Sequence, residues 1–114
     1  MTKAHPQTSI GHIHLKVSDL ERAIAFYRDV MGFELTQTYG DQAAFLSAGG
    51  YHHHIGLNTW FSKNGPPAPK RNAGLFHVAF LYPDRAALAQ AFKSVLEAGV
   101  EIEGAADHGV SEAI

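Results

Sequence analysis

The chain has 114 residues, 46% hydrophobic and 18% charged, with a formal net charge of −2. That is enough for one domain with a real core, and the scattered, outnumbered cations argue against a nucleic-acid partner. It contains no cysteine, which excludes disulfides, zinc–thiolate sites and a thiol nucleophile and is compatible with a cytoplasmic location. The opening MTKAHPQTS is polar, without the apolar run of a signal peptide, and no segment approaches a membrane span.

Residues 1–8 read as a loose tail. From Ile10 to Val17 the chain alternates, with Ile13, Leu15 and Val17 on one face and His12, His14 and Lys16 on the other. This is the pattern of a strand with one apolar face. Ser18-Asp19-Leu20-Glu21 reads as a capping box with Ser18 as the cap. Leu20, Ala23, Ile24, Tyr27 and Val30 or Met31 follow at helical spacing, and Gly32 sits where a helix C-terminus favours a left-handed residue. Three more strands are predicted over 33–38, 43–48 and 52–60, separated by Gly-containing turns, giving β-α-β-β-β. The stretch 62–74 holds three prolines and two glycines and is a connector. It is basic but short, a solvated loop that could also close over a site as a lid.

The pattern then restarts. Leu75–Leu81 is predicted as a strand with Phe76, Val78 and Phe80 on one face and His77 on the other. A helix follows Pro83-Asp84 and stops at Gly99, and strands are expected over 100–105 and 111–114. The halves match element for element, with His12 and His77 at the same place in the first strand of each copy, so the chain reads as an internal repeat. One domain, 1–114, is expected, with module one at 9–61, a linker at 62–74 and module two at 75–114. The second copy ends short of the first, which reads as a truncation.

The chain has eight histidines, and His is both the commonest metal ligand and a proton carrier near neutral pH. If the two copies face each other, His12 and His77 converge on one cavity. The run His52-His53-His54 cannot jointly bind one ion from a regular strand, because adjacent strand residues point to opposite faces. Alternation with Gly56 and Asn58 directs His52 and His54 to the cavity and His53 away from it. His14 reads as a cavity-wall residue, His5 as part of the tail, and His108 in "ADHG" as a turn residue or a group near the substrate. No phosphate-binding loop or nucleophile motif occurs.

"IGHIHLKVSDLERAIAFYRDVMGFEL" and "LFHVAFLYPDRAALAQAFKSVLEAGVEI" resemble the vicinal oxygen chelate superfamily, which includes glyoxalases, bleomycin-binding proteins and extradiol dioxygenases. "YHHHIGLNTW" and "AADHGVSEAI" more closely resemble its small catechol 2,3-dioxygenase-like branch. The resemblance covers residues 9–114. It implies an α+β fold of paired βαβββ modules forming a half-open barrel around a divalent metal, Fe(II) or Mn(II), with the second module incomplete at its C-terminus. It places two metal ligands at His12 and His77, with a third, a Glu, expected beyond Ile114. Glu101, Glu103 and Glu112 have no spacing that would put one in its place. The resemblance also implies an acid–base histidine at His54 or, shifted by one residue, His53, with His108 as a second group near the substrate.

The activity implied is extradiol cleavage of a catecholic aromatic with O2, in a homodimer without nucleic-acid or membrane partners. Two alternatives share the scaffold: a glyoxalase-type isomerase or thiol transferase, and a non-catalytic, drug-sequestering binding protein.

Overall fold

The alternating pattern of the first strand survives in its central four residues, Ile13–Lys16, which form β1. In the computed structural model, which describes residues 2–107 and 112–113, the chain divides into two compact units, Met1–Pro67 and Ala68–Ile114. The boundary falls inside the Pro- and Gly-rich stretch 62–74.

In the first unit, β1 leads through a short turn into α1, Leu20–Ala25. The capping residue is Asp19, not Ser18: the Arg22 backbone N–H donates to Asp19 Oδ1 at 3.0 Å, while Ser18 Oγ accepts from the Arg22 guanidinium at 3.0 Å. Asp19 has the extended backbone that an N-cap needs, and a carboxylate satisfies an orphan N–H at least as well as a hydroxyl. The predicted single helix changes pitch after Ala25. Phe26–Val30 is a π-helical stretch, with the Met31 N–H reaching the Phe26 carbonyl at 3.0 Å. Such insertions are uncommon and frequently lie near functional sites. Gly32, at φ 81°, ends the helix as its position predicts, and the Phe33 N–H closes back on the Tyr27 carbonyl at 2.9 Å.

Strands β2 (Glu34–Tyr39), β3 (Ala43–Ser47) and β4 (Ile55–Asn58) complete an open sheet of order β1-β4-β3-β2. β1 lies parallel to β4, and the other pairs are antiparallel. The register sets Ile13 against Ile55, Leu15 against Leu57, Ala44 against Leu57 and Leu46 against Ile55, so these side chains share one face. Leu46, Ile55, Leu57 and Ala44 are 0% exposed; with Leu20 of α1, which packs on β3 and β4, they make the core. The opposite face holds His14, Gly56 and Phe45 in one cross-strand row. The start of the connector belongs to this unit, because Ser62 Oγ donates to the Val17 carbonyl at 2.8 Å and the Asn64 N–H to the Ser18 carbonyl at 2.8 Å.

The second unit departs from the predicted repeat. Its helix forms as expected: α2 spans Arg85–Glu97, with Asp84 Oδ1 accepting from the Ala87 N–H at 2.8 Å, and Gly99 follows it at φ 77°. The predicted strand 75–81 has no regular structure, nor does 100–105. The short pair β5 (Ala106–Asp107) and β6 (Glu112–Ala113) is antiparallel. Alternation supplied two faces to 75–81 but no ladder neighbour. β1 is a strand because β4 lies beside it, and among the described residues of the second unit nothing pairs with 75–81. Phe76 and Leu81 are consequently 96% and 99% exposed. No helix among the described residues is long and apolar enough to cross a membrane.

Candidate functional site

The polar face of the first unit collects His12, just before β1, His14 of β1 and the histidines of the turn before β4. That turn runs through Gly49 and Gly50, at φ 71° and 81°, a conformation open to glycine and costly for other residues. It returns the chain to the sheet along β1, so that residues 52–54 end beside His12.

The triplet is not part of the strand. β4 begins at Ile55, and residues 52–54 form a bent approach to it. The His54 backbone still bonds to both neighbouring strands, its N–H to the Leu46 carbonyl at 2.8 Å and its carbonyl to the Ile13 N–H at 3.0 Å. His52 and His53, however, are free of strand alternation, and His53, expected to face away, comes up against His12. Their ring centroids are 4.4 Å apart, and His53 also stands against Phe45 at 4.9 Å. His52 lies 6.1 Å from His12 and 4.5 Å from His53. The Nδ1 atoms of His52 and His53 are 2.8 Å apart, so one of the two must donate a proton to the other.

His54 is engaged elsewhere. Its Nδ1 accepts from the Ala48 backbone N–H at 3.2 Å and lies 3.4 Å from Ser47 Oγ. A backbone donor at Nδ1 leaves the neutral ring's proton on Nε2. Its ring is 4.8 Å from Tyr51 and 6.3 Å from Phe33. Tyr51 in turn lies over His52, with centroids 4.0 Å apart.

Burial pushes the His53 pKa below the ordinary imidazole value, and the neighbouring His12, His52, His14 and His54 add to the effect by repelling a further positive charge. His53 is thereby biased toward the neutral form, a proton acceptor at neutral pH.

One residue that pattern reading misses is Thr36. The β2–β3 register shifts between Leu35 and Gln37, a bulge that leaves Thr36 out of the ladder. Its hydroxyl lies 3.1 Å from the Phe45 carbonyl and 2.9 Å from the His52 carbonyl, tying the bulge to the histidine turn. Nothing in the sequence around Thr36 marks a bulge, and only the three-dimensional register exposes it.

The remaining predicted residues divide as follows. His14 lies on the same face as His12, 5.9 Å from both Phe45 and Trp60. His77 belongs to the second unit, where it is exposed with its ring 5.3 Å from Phe76. His108 lies outside the described residues, as does the region of a third ligand expected beyond Ile114. Among the described residues, no group of three or more His, Cys, Asp or Glu side chains could hold a metal ion.

The chain is 50% identical over 97 residues to a catechol-2,3-dioxygenase of Bacillus subtilis (strain 168); the match covers 84% of this chain and 34% of that protein. The chain thus spans about a third of the length of that curated relative. Among solved structures it is similar to a lactoylglutathione lyase from Agrobacterium tumefaciens, at TM-score 0.65 and 23% identity, over 90% of this chain and 78% of the other. It is also similar to a possible glyoxalase from Bacillus cereus, at TM-score 0.63 and 21% identity, over 86% of this chain and 80% of the other. At such identities these structures speak for the fold, an α+β architecture with an open sheet. The family described as the glyoxalase/bleomycin resistance protein/dioxygenase superfamily matches residues 9–114, and the chain belongs to it.

Proposed function

We propose that the chain acts in extradiol ring cleavage of a catecholic aromatic with O2. The observation that carries this reading is the 50% identity to a catechol-2,3-dioxygenase across most of the chain. The glyoxalase-like solved structures do not favour an isomerase equally, because at 23% identity the lyase likeness reaches only the fold.

The superfamily and the dioxygenase relative imply a divalent metal; we take it to be Fe(II) or Mn(II), with His12 and His77 as imidazole ligands. His12 suits such an ion in chemistry, as an exposed imidazole at the entry to β1. The described side chains do not assemble three donors, so they fall short of a complete site. In this reading a carboxylate ligand comes from outside them.

What the chain's own residues offer is proton handling. The acid–base role expected of His54 or, shifted by one residue, His53 falls in this reading to His53. It is held toward the neutral form by burial and by four neighbouring imidazoles, and it touches His12. A neutral imidazole there can accept the proton that leaves a catechol hydroxyl, and His52 Nδ1, 2.8 Å away, can pass it on. His54, with Nδ1 occupied by the Ala48 N–H, helps to orient the turn and keeps Nε2–H as a donor. His108 is a candidate group near the substrate, and the protein acts as a homodimer.

The test is metal loading followed by O2 uptake with a panel of catechols. Binding of Fe(II) or Mn(II) with catechol-dependent O2 consumption is expected. Metal binding with isomerase activity on a hemithioacetal would move the assignment to the glyoxalase branch. Failure to bind any divalent metal would leave a small-molecule binding protein.

A further inference from the structure

Gly56 sits in the interior of a four-stranded sheet, a position where glycine weakens a strand. Its backbone does not require glycine, since it is not among the residues with positive φ. The space above it is instead filled by the ring of an exposed side chain. A Cβ built on Gly56 would lie 2.7 Å from His14 Nδ1, 3.0 Å from Cγ and 3.1 Å from Cε1. The His14 ring therefore lies down on the bare backbone of β4, in the gap left by the missing side chain.

Register explains which groups meet there. His14 pairs with Gly56 and Gly56 with Phe45, so the two rings flank the notch from the strands on either side. His14 meets Phe45 edge to face, with centroids 5.9 Å apart at 88°, and Trp60 at 5.9 Å in a tilted arrangement of 36°. The Trp60 backbone N–H donates to Oδ1 of the buried Asn58 at 3.2 Å, which fixes the chain from which the indole projects. The result is a row of three rings, Phe45, His14 and Trp60, supported from below and open above: Trp60 is 48% exposed and His14 is exposed. Phe45 also contacts His53 at 4.9 Å, so the row runs directly into the His12–His53 pair.

We infer that Gly56 is a notch that seats His14, and that the row Phe45–His14–Trp60 is the surface on which the aromatic ring of the substrate lies; the identity of that ring rests on the ring-cleavage reading. Set at 88° and 36° to one another, the three rings offer a planar ring a combination of face and edge contacts, and a puckered one little. A ring placed at the Phe45 end of the row lies within reach of the His12–His53 pair. These three residues and Gly56 are positioning residues, selecting a flat substrate and setting its approach to the proton acceptor.

Trp60 is the only tryptophan in the chain, so its fluorescence reports this row alone. In metal-free protein, catechol is expected to quench Trp60 saturably, and cis-cyclohexane-1,2-diol, with the same vicinal oxygens on a puckered ring, is expected not to. Gly56→Ala should displace His14 and weaken catechol binding by roughly three- to tenfold, the range of one aromatic contact. His14→Ala, which removes an exposed ring and leaves the sheet backbone untouched, should do the same and keeps the test available if Gly56→Ala does not fold.

Absence of saturable quenching in the wild type, equal quenching by the two diols, or unchanged catechol affinity in a folded variant would overturn the inference. The two proposals fail separately. Catechol-dependent O2 uptake with KM unchanged in either folded variant would remove the ring row and leave the reaction. Quenching that weakens in the variants, without O2 uptake under any metal, would remove the reaction and leave the ring row.

Discussion

The two units start from the same pattern and reach different structures. Residues 13–16 and 75–81 both alternate, both precede a helix capped by an aspartate, and both carry a histidine on the polar face. The first becomes a strand hydrogen-bonded to β4 with Leu57 completely buried behind it. Among the described residues the second has no ladder, and Phe76 is in solvent. Alternation states which face of a strand would be apolar, but whether a strand exists depends on a partner brought in from elsewhere in the chain. α2 shows the complementary case. A helix satisfies its own backbone and so forms in the second unit, although none of its residues is buried.

The sharpest way to break this comparison is to delete apolar volume on each side of it. Leu57→Ala removes a side chain that is 0% exposed and should cost about 2–5 kcal/mol, since the well-packed sheet cannot collapse into the gap. Phe76→Ala removes a larger group from solvent and should change stability by no more than about 0.5 kcal/mol. Urea unfolding followed by circular dichroism measures both. A Phe76→Ala cost comparable to that of Leu57→Ala would mean that 75–81 is packed in solution and that the contrast between the units is false.

The same reasoning separates what was legible in the sequence from what was not. Local signals were readable: the alternation of 13–16, the glycine stop at Gly32, the aspartate before α2 and the helix after it all follow from neighbouring residues. The cap was misplaced by one residue because Ser18 and Asp19 both suit it, and only the backbone angle at Asp19 decides. The π-helical stretch at 26–30 keeps an apolar periodicity that a regular helix would also show. At the site, the histidine cluster was visible as composition, but its geometry was not. Which imidazole touches His12 depends on how the chain bends between Gly50 and Ile55, and that bend is held by contacts distant in sequence. The notch at Gly56 was equally hidden, because it exists only across three strands.

Those distant contacts sharpen the comparison, since residues 52–54 also lack strand structure and yet carry the candidate site. They are held by Thr36 Oγ1, 2.9 Å from the His52 carbonyl, and by the Ala48 N–H on His54 Nδ1. Thr36→Val keeps the shape and removes the hydroxyl. The loss should be about 1 kcal/mol, the net worth of one hydrogen bond, with amide shifts in NMR concentrated at 52–54 and absent from α2. Shifts spread evenly over the first unit would show that Thr36 supports the sheet in general rather than this turn.

The smallest effect expected concerns charge at His53, and its sign follows from the environment. The folded pKa is depressed by burial and then by His12, His52, His14 and His54, so the unfolded chain takes up this proton at a higher pH than the folded one does. Above the ordinary imidazole range both states are neutral and the residue has no effect on folding. As pH falls through that range the unfolded state is protonated first and stability is lost, until the folded pKa is passed. Metal-stripped protein should therefore lose Tm between about pH 8 and pH 5, and His53→Gln, uncharged throughout, should lose less. An equal slope in the variant would place the acid sensitivity in the other histidines. A steeper slope would mean that His53 is stabilised as a cation, and it would then be unable to serve as the proton acceptor of the first unit.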